Sequence, residues 1–420
     1  MNRSFATTLL VSAFAAVALF VGLRGYTVAL LGSLLILMAI GAAWTWNRFV
    51  FSKLILERTL SRGKVDFGTP VHMHLTITNR KVLPLFGLRV SFGVSSGLLW
   101  EPRKVTEVKE VGYDSFQEVF HLNWYEKRKR VYSVLPTRRG RFHFEAGFLA
   151  YSDPFGFFSN RRDDAFAPTQ LIVFPKIVPI RGIASLNTYL FGSRPRDGWM
   201  FLDPLNRVGT RPYMSTDSAR MIHWKATARH VQTQVHVEKP SFDQQVYLIL
   251  DQPPHLPWWT SRVSNTLEIA IMTMASLIQA YSEAGYEIKL ATNLVSKTRG
   301  SGPLPDNATR GRAQRNQHLT NLALLQSFSL EPITKVLARR ARQMAPGSTV
   351  VIVTTAQGAL EPAFLHALRN AGAKSRVALI RVLDDSVSLP KDVDQNQRGL
   401  REWRIGGGVP WHEIEQLELY

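Results

Sequence analysis

Three patterns of hydrophobic and polar positions succeed one another along the chain. From Ser4 to Leu23 no residue is charged (SFATTLLVSAFAAVALFVGL), Arg24 interrupts, and Gly25 to Asn47 is again free of charge (GYTVALLGSLLILMAIGAAWTWN). Each run has the roughly 20 apolar residues that a helix needs to cross a bilayer. Trp44 and Trp46 close the second run, as aromatics do at a membrane interface. The few residues between the runs allow only a tight turn, so residues 1–50 are expected to form a hairpin of two antiparallel transmembrane helices. A cleaved signal peptide is the alternative for the first run. That run is long for a signal, and a second apolar run follows at once.

From Phe51 the period changes to two. In PVHMHLTITN the apolar positions are Val71, Met73, Leu75 and Ile77, the alternation of a half-buried strand. GLRVSFGV, QEVFHLNWY, RVYSVLP, GRFHFEAGFLAY and TQLIVFP read the same way, punctuated by Arg139-Gly140, Asp153-Pro154 and Phe155-Gly156. Residues 51–180 are therefore expected to form an antiparallel, β-sandwich-like domain. His72 and His74 share a strand face, but no third ligand type is near, so an exposed polar face outweighs a metal site. The basic run Glu126 to Arg130 (EKRKR) is expected at a solvated hairpin tip. Contact with an anionic leaflet is the sharper alternative for it.

The third pattern begins at Gln245. VYLILD is a short apolar run of the buried parallel type. A helical pattern follows, with Leu267, Ile271, Met274, Leu277 and Ile278 on one face and Gly285 as its stop. EIKLAT, STVVIVTT and SRVALIRVL then alternate as strands with the helical PITKVLARRARQMAPG and PAFLHALRNAG. Residues 181–420 are thus expected to hold a linking segment and an α/β, doubly wound parallel sheet. The polar, Gly- and Pro-containing stretch at about 293–316 reads as a mobile loop. Gly406 to Gly408 lacks the Lys-Ser/Thr ending of a phosphate loop and reads as a turn.

Charge changes the picture in two ways. Lys plus Arg number 51 against 32 Asp plus Glu, a formal +19, which draws the surface toward nucleic acid or an anionic membrane. Arg3 precedes the first apolar run, and Arg48, Lys53, Arg58, Arg62 and Lys64 follow the second, whereas the turn carries only Arg24. The positive-inside bias then places both termini in the cytoplasm, with two spans in the inner membrane. The chain has no cysteine, which excludes disulfides and thiolate-held metals.

Between the second and third patterns lies Arg211-Pro-Tyr-Met-Ser-Thr-Asp217-Ser-Ala-Arg220-Met-Ile-His223-Trp224-Lys225-Ala-Thr-Ala-Arg229. Within it Thr216-Asp217 precedes an apolar-periodic run, as an N-cap would, and a short helix is expected, leading into the strand QTQVHVEK. This tract resembles the bacterial family called domain of unknown function 58, whose members carry Ile-His-Trp-Lys-Ala-Ser/Thr-Ala-Arg here. Thr137-Arg-Arg-Gly-Arg141 and Asp153-Pro-Phe-Gly156 are similar to further family marks. The chain departs from the family at Thr216, where Gly is usual, and at Met221, a basic position. The resemblance implies a membrane hairpin, a β-rich region and a von Willebrand A-like α/β domain. In such domains the first strand ends in Asp-x-Ser-x-Ser and holds a divalent cation. Here it ends Asp251-Gln-Pro-Pro-His255, which leaves one carboxylate for a cation that needs several oxygens, so Asp251 is a degenerate metal-site position.

Tyr213, Asp217, Arg220, His223, Trp224, Lys225 and Arg229 are the family-motif residues, structural or partner-binding. Catalysis by His223 would need a nucleophile or an orienting carboxylate. Asp217 lies six residues away, off its helical side. Trp224 is expected as a buried anchor, with His223, Lys225 and Arg229 pairing to carboxylates or carbonyls. A grip on a partner through Lys225 and Arg229 is the alternative. The expected function is a non-enzymatic scaffold without cofactor, tethered to the lipid bilayer. The resemblance implies a MoxR-type AAA+ ATPase as partner and a transglutaminase-like membrane protein nearby. Two rivals remain. One is a membrane-tethered nucleic-acid binder, which the scattered basic residues disfavour. The other is a hydrolase or metal enzyme using Asp217, His223 and Asp251.

Overall fold

The computed structural model describes residues 27–101, 105–106, 113–153, 158–191, 202–214, 217–230, 232–240, 245–253, 265–296, 311–329, 331–342, 348–356, 362–372, 376–383 and 400–420, with residues 12, 14–16, 19–20 and 22–23 before them. The chain divides into two units, Met1–Pro175 and Lys176–Tyr420.

The first unit opens with helix α1, Thr27–Phe49. Its stretch Leu30–Phe49 is long and apolar enough to cross a membrane. Leu31, Leu34, Leu35 and Met38 project outward, each more than half exposed. Its hydroxyls bond back along the helix: Ser33 Oγ to Leu30 O and Thr45 Oγ1 to Gly41 O. Those bonds satisfy groups that hydrocarbon cannot. The first apolar run falls largely outside the described residues, and its described positions are helical. Among the described residues there is thus one candidate span.

Twelve described strands follow. They are β1 (Leu54–Leu60), β2 (Lys64–Val65), β3 (Val71–Asn79), β4 (Leu85–Ser95), β5 (Leu98–Glu101), β6 (Val105–Thr106), β7 (Tyr113–Leu122), β8 (Lys127–Pro136), β9 (Gly140–Phe144), β10 (Phe148–Ser152), β11 (Ser159–Asp163) and β12 (Thr169–Val173). One sheet runs β1-β3-β8-β5. The other runs β11-β10-β4-β9-β12-β2, with β7 also on β4 and β6 on β7. All pairings are antiparallel except β12 with β2. The period-two pattern of β3 is realised side by side: Val71, Met73, Leu75 and Ile77 are buried while His72 is exposed. Rings join the sheets, with Phe116 of one sheet 5.3 Å from Trp100 and 5.1 Å from Tyr132 of the other. Gly147 lets β10 start where it does. Its φ is +68°, and a Cβ there would lie 2.3 Å from Ser91 O.

The basic run is not a hairpin tip. Lys127 to Arg130 lie in β8, opposite Thr78 to Leu75, and the turn is made by Asn123 to Glu126. Arg128 pairs with Glu126, and Arg130 pairs with the buried Glu118 while covering the Phe120 ring at 4.5 Å. Long basic side chains lay their stems on apolar surface and keep strand geometry.

The second unit is built on a five-stranded sheet. Its strands are β16 (Gln245–Asp251), β17 (Glu287–Thr292), β20 (Thr349–Thr354), β21 (Arg376–Val382) and β22 (Leu400–Ile405). The order is β17-β16-β20-β21-β22, all neighbours parallel. Alternate side chains of this sheet, among them Tyr247, Ile249, Val350 and Ile352, pack with Ile333, Val336, Leu337 and Phe364. Those four belong to the helices Ile333–Ala341 and Pro362–Gly372. The other parity, Val246, Leu248, Val351 and Val353, is equally buried. The long helix Asn265–Glu283 packs against four of the five strands and is buried along most of its length. Small two-stranded pairings complete the unit. β13 (Ile180–Arg181) lies beside β23 (Leu417–Glu418), β14 (Leu202–Pro212) beside β15 (Gln234–Pro240), and β18 (Leu294–Ser296) beside β19 (Leu325–Ser329). Gly407 is wedged where a Cβ would come 2.1 Å from Leu383 O, and its own carbonyl accepts from Asn265 Nδ2.

The stretch at 293–316 is not a plain loop at its ends. Leu294–Ser296 is a buried strand, and Arg312–Ala323 is a helix whose Gln314 and His318 are buried. Gln314 Oε1 accepts from Ile288 N, and Gln314 Nε2 donates to Ile288 O at 2.9 Å. The amide thereby closes the open edge of β17, as a neighbouring strand would. Residues 297–310 lie outside the described residues.

Candidate functional site

The Ile-His-Trp-Lys tract sits in the loop that joins β14 to β15. The two strands pair from Leu202↔Pro240 to Pro212↔Gln234. The base of the loop is closed by Tyr213 N donating to Thr233 O at 2.8 Å and His223 N donating to Gln234 O at 2.8 Å. Asp217 is the brace. Its Oδ1 accepts from Arg211 Nη2 at 2.5 Å and its Oδ2 from Arg211 Nη1 at 2.6 Å, with Met214 N also on Oδ2 at 2.8 Å. The Arg211 hydrogen bonds, then that of Met214, hold the Asp217 carboxyl below its ordinary range, and Asp217 in turn raises Arg211. Bidentate pairing fixes orientation as well as charge.

The expected single helix is two short turns. Ala219–Met221 is capped by Ser218, whose Oγ accepts from Arg220 N. Trp224–Thr227 is capped by His223, whose Nδ1 accepts from Ala226 N at 3.3 Å. Asp217 is therefore not the N-cap, because Arg211 has taken its carboxylate. The His223 ring stacks on His236 of β15, with centroids 4.2 Å apart and planes at 25°. Ile222 bridges to Val235, which is fully buried. Trp224 is not a buried anchor. It is 72% exposed, and Tyr213 (42%) and Met214 (62%) stand out with it. With two short turns on a two-stranded hairpin, no third layer among the described residues covers the indole, and Ile222 and Val235 make the packing instead. Arg220, Lys225 and Arg229 are exposed on the same tract.

Residues 209–397, which begin in this hairpin and take in four of the five strands of the parallel sheet, match the family model described as "Protein of unknown function DUF58". The match covers 189 of the 420 residues and marks this part of the chain as similar to DUF58 proteins. Helix α1 and the β-rich unit lie outside the matched residues. No curated protein matches the chain. Solved structures are similar only in part. A β-glucosidase from Listeria innocua in complex with gluconolactone is 11% identical over 30% of this chain and 17% of that one, with a TM-score of 0.20. The CARDB domain of a Pyrococcus furiosus protein in complex with di-metal ions is 11% identical over 29% and 92%, with a TM-score of 0.19. An alkylpurine DNA glycosylase from Pseudomonas fluorescens, bound to DNA containing an abasic site analog, is 9% identical over 30% and 32%, with a TM-score of 0.18. The chain spans under a fifth of the glucosidase, and likeness of this degree assigns it neither fold nor activity.

Within the DUF58 match, Asp251 ends the second strand of the sheet in spatial order. Its Oδ1 accepts from Asn293 Nδ2 at 3.0 Å and its Oδ2 from Thr354 Oγ1 at 2.7 Å. Gln252 is locked beside it. Its N donates to Asn293 Oδ1 at 3.0 Å, and its Oε1 accepts from Thr355 Oγ1 at 2.6 Å. All five residues are buried. Ligands commonly bind at this carboxyl edge of an open parallel sheet, and here neutral side chains clamp the carboxylate. Among the described residues, no group of three or more His, Asp or Glu is placed to hold a metal. His255 lies outside the described residues.

The structure thus joins Arg211 to Asp217 and His223 to His236, and it joins Asp251 to Asn293 and Thr354. Asp217 and His223 are each engaged by other partners. Sequence reasoning missed His236, Asn293, Thr354 and Thr355. Position relative to the strands carried the signal for the last three, since Leu250 is level with Thr292 and Asp251 with Thr354. Residues that follow adjacent parallel strands share one edge.

Proposed function

We propose that this protein belongs to the DUF58 family and is a membrane-anchored scaffold that recruits a partner instead of catalysing a reaction. The membrane end is a hairpin of which α1 is the second span, with both termini cytoplasmic. The carboxyl-terminal unit is a von Willebrand A-like recruiting domain, and the partner implied by the family resemblance is a MoxR-type AAA+ ATPase, near a transglutaminase-like membrane protein. One observation carries the reading: Trp224 stands exposed on a loop held rigid by the Arg211–Asp217 brace, among Arg220, Lys225 and Arg229. A rigid aromatic with cations around it has the composition of an interface hot spot. The engagement of Asp217 by Arg211, and of His223 by Ala226 N and His236, supports the same reading over chemistry at either group.

The test is affinity purification of the intact chain from detergent-solubilised membranes. An ATPase of that class is expected with the wild type and is expected to be lost with Lys225→Glu. A wild-type preparation that brings down no ATPase overturns the partnership. Digestion of the carboxyl-terminal unit by protease added outside intact cells overturns the orientation.

A further inference from the structure

The end of α1 is built into the β-rich unit. Val50, directly after the helix, is fully buried in the sandwich core, with Phe51 and Trp46 packed against it. Lys81 Nζ reaches back to donate to Val50 O and to Ser52 O, the latter at 2.9 Å. Two loops are tied to this junction. In the β3–β4 loop, Arg80 N donates to Lys53 O at 3.0 Å. In the β7–β8 turn, Tyr125 N donates to Lys81 O at 3.2 Å, and Glu126 O accepts from Asn79 N at 2.9 Å. The buried Asn79 amide bridges both, donating to Leu83 O at 2.9 Å and to Asn123 O at 2.8 Å. Lys53 and Tyr125 take left-handed backbone, each with φ of 52°, a conformation that persists where surrounding bonds over-determine it.

This rigid collar presents side chains that water does not favour. Phe49 is 55% exposed, Val82 63%, Trp124 67% and Tyr125 67%. Arg48, Lys53 and Arg80 are exposed beside them. Aromatics next to basic residues, at the level where a membrane helix ends, are the chemistry of an interfacial belt facing anionic lipid. The surface is continuous with the helix itself, which fixes what it faces.

We propose that the turn after α1 and the two loops bound to it form a lipid-headgroup platform. Val82, Trp124 and Tyr125 enter the interfacial layer of an anionic leaflet, and Arg48, Lys53 and Arg80 meet its phosphates. The β-rich unit then lies on the bilayer in one fixed pose and does not swing on a tether. The inference rests on α1 spanning the membrane.

The chain has no cysteine, so single nitroxide labels report one site each. Val82→Cys and Trp124→Cys probe the collar in the full chain, reconstituted into vesicles of phosphatidylcholine with or without phosphatidylglycerol. Leu99→Cys is the control. It is an equally exposed apolar site at 59%, paired with Leu135 at the opposite end of β8 from Lys127, about 27 Å away at strand rise. Labels at 82 and 124 are expected to collide several-fold more with oxygen, and several-fold less with a water-soluble nickel chelate, than the label at 99. Equal accessibility at all three positions, in vesicles that float with the protein, overturns the platform and leaves the anchor standing. Protein that does not float with the vesicles removes the anchor and the platform together. Dipolar broadening between labels at 124 shows a second copy on this face and also overturns the proposal. Joint replacement of Arg48, Lys53 and Arg80 by Glu is expected to abolish the difference between anionic and zwitterionic vesicles at position 124. Persistence of that difference overturns the role of the phosphates.

Discussion

Arg58 in the β-rich unit and Asp251 in the parallel-sheet unit are both charged groups withdrawn from water, and the two units accommodate them differently. Arg58 projects from β1 into the space between the sheets. It donates to Glu145 O at 2.9 Å, and to Phe144 O and Ala167 O at 3.0 Å. Its guanidinium lies 4.7 Å from the Phe92 ring centroid, 5.2 Å from Phe166 and 5.7 Å from Phe144. Burial lowers its pKa to about 10. Asp251 instead sits at a sheet edge among short neutral donors. The cation is a bolt between two layers, so its loss loosens one sheet from the other. The carboxylate clamps the ends of adjacent strands, so its loss is local. A third centre separates charge from position: Arg381 is only 1% exposed, yet it pairs with Glu402 of the neighbouring strand at 3.2 Å. Buried charge alone therefore does not make a bolt; partners on the facing layer do.

The strongest way to break this comparison is Arg58→Met. Three carbonyls, the buried Phe144 O among them, lose their donor while apolar volume is kept, and the expected loss is about 3 kcal/mol. Denaturation of the full chain in detergent measures it. A loss under about 1 kcal/mol would show that water replaces the guanidinium and that the bolt is ornamental. Next in size is Asp251→Ala, which strands the Asn293 and Thr354 donors at an expected cost of about 2 kcal/mol. Hydrogen exchange should quicken around residues 251–253, 292–294 and 354–356 and leave the β-rich unit untouched. Quickening spread over the whole parallel sheet would make Asp251 a second bolt.

Lys81 sharpens the comparison because it is a cation whose burial is relieved by titration. Desolvation lowers its ammonium from 10.5 to about 8. Between those values the folded chain has released the proton while the unfolded chain still holds it. The unfolded state binds more protons, so stability rises with pH across this window and the contribution is lost as pH falls through about 8. The measurement is the difference in midpoint between wild type and Lys81→Met as pH goes from 8 to 10.5. The wild type should gain on the variant, and parallel curves would place the ammonium in water, outside the junction with α1.

The elements were legible where one physical rule governs them. Val71, Met73, Leu75 and Ile77 alternate because one face of β3 is dry, and VYLILD and STVVIVTT are unbroken apolar runs because both their faces are covered. The helix Arg312–Ala323 was illegible because its buried face mixes Gln314, His318 and Asn321 with Leu319, Leu322 and Ala323. Gln314 and His318 are there for the backbone of Ile288, a need that arises only once β17 is an edge. Trp224 misled for the converse reason. Its size argues for burial, but burial requires a layer that the local chain does not supply. At the site, Asp217 was legible as important, and its partner Arg211 became evident only when β14 and β15 brought the loop ends together.

Trp224→Ala is the smallest expected effect on the fold, and it completes the contrast between residues that hold this protein together and those it displays. The indole is 72% exposed, so its removal should shift stability by no more than about 0.5 kcal/mol. Arg211 and Asp217 keep their two bonds, and Ile222 keeps its place beside Val235. Recovery of the copurifying partner should nevertheless fall well below wild type, because a rigid exposed aromatic loses little conformational freedom on being covered and contributes large contact area. The two readouts are taken on one preparation, melting in detergent and affinity capture. An unchanged melt with capture lost assigns Trp224 to a partner. A melt lowered by more than about 1 kcal/mol of equivalent stability would mean that the indole is covered within the folded chain, and the expectation of a buried anchor would then stand after all.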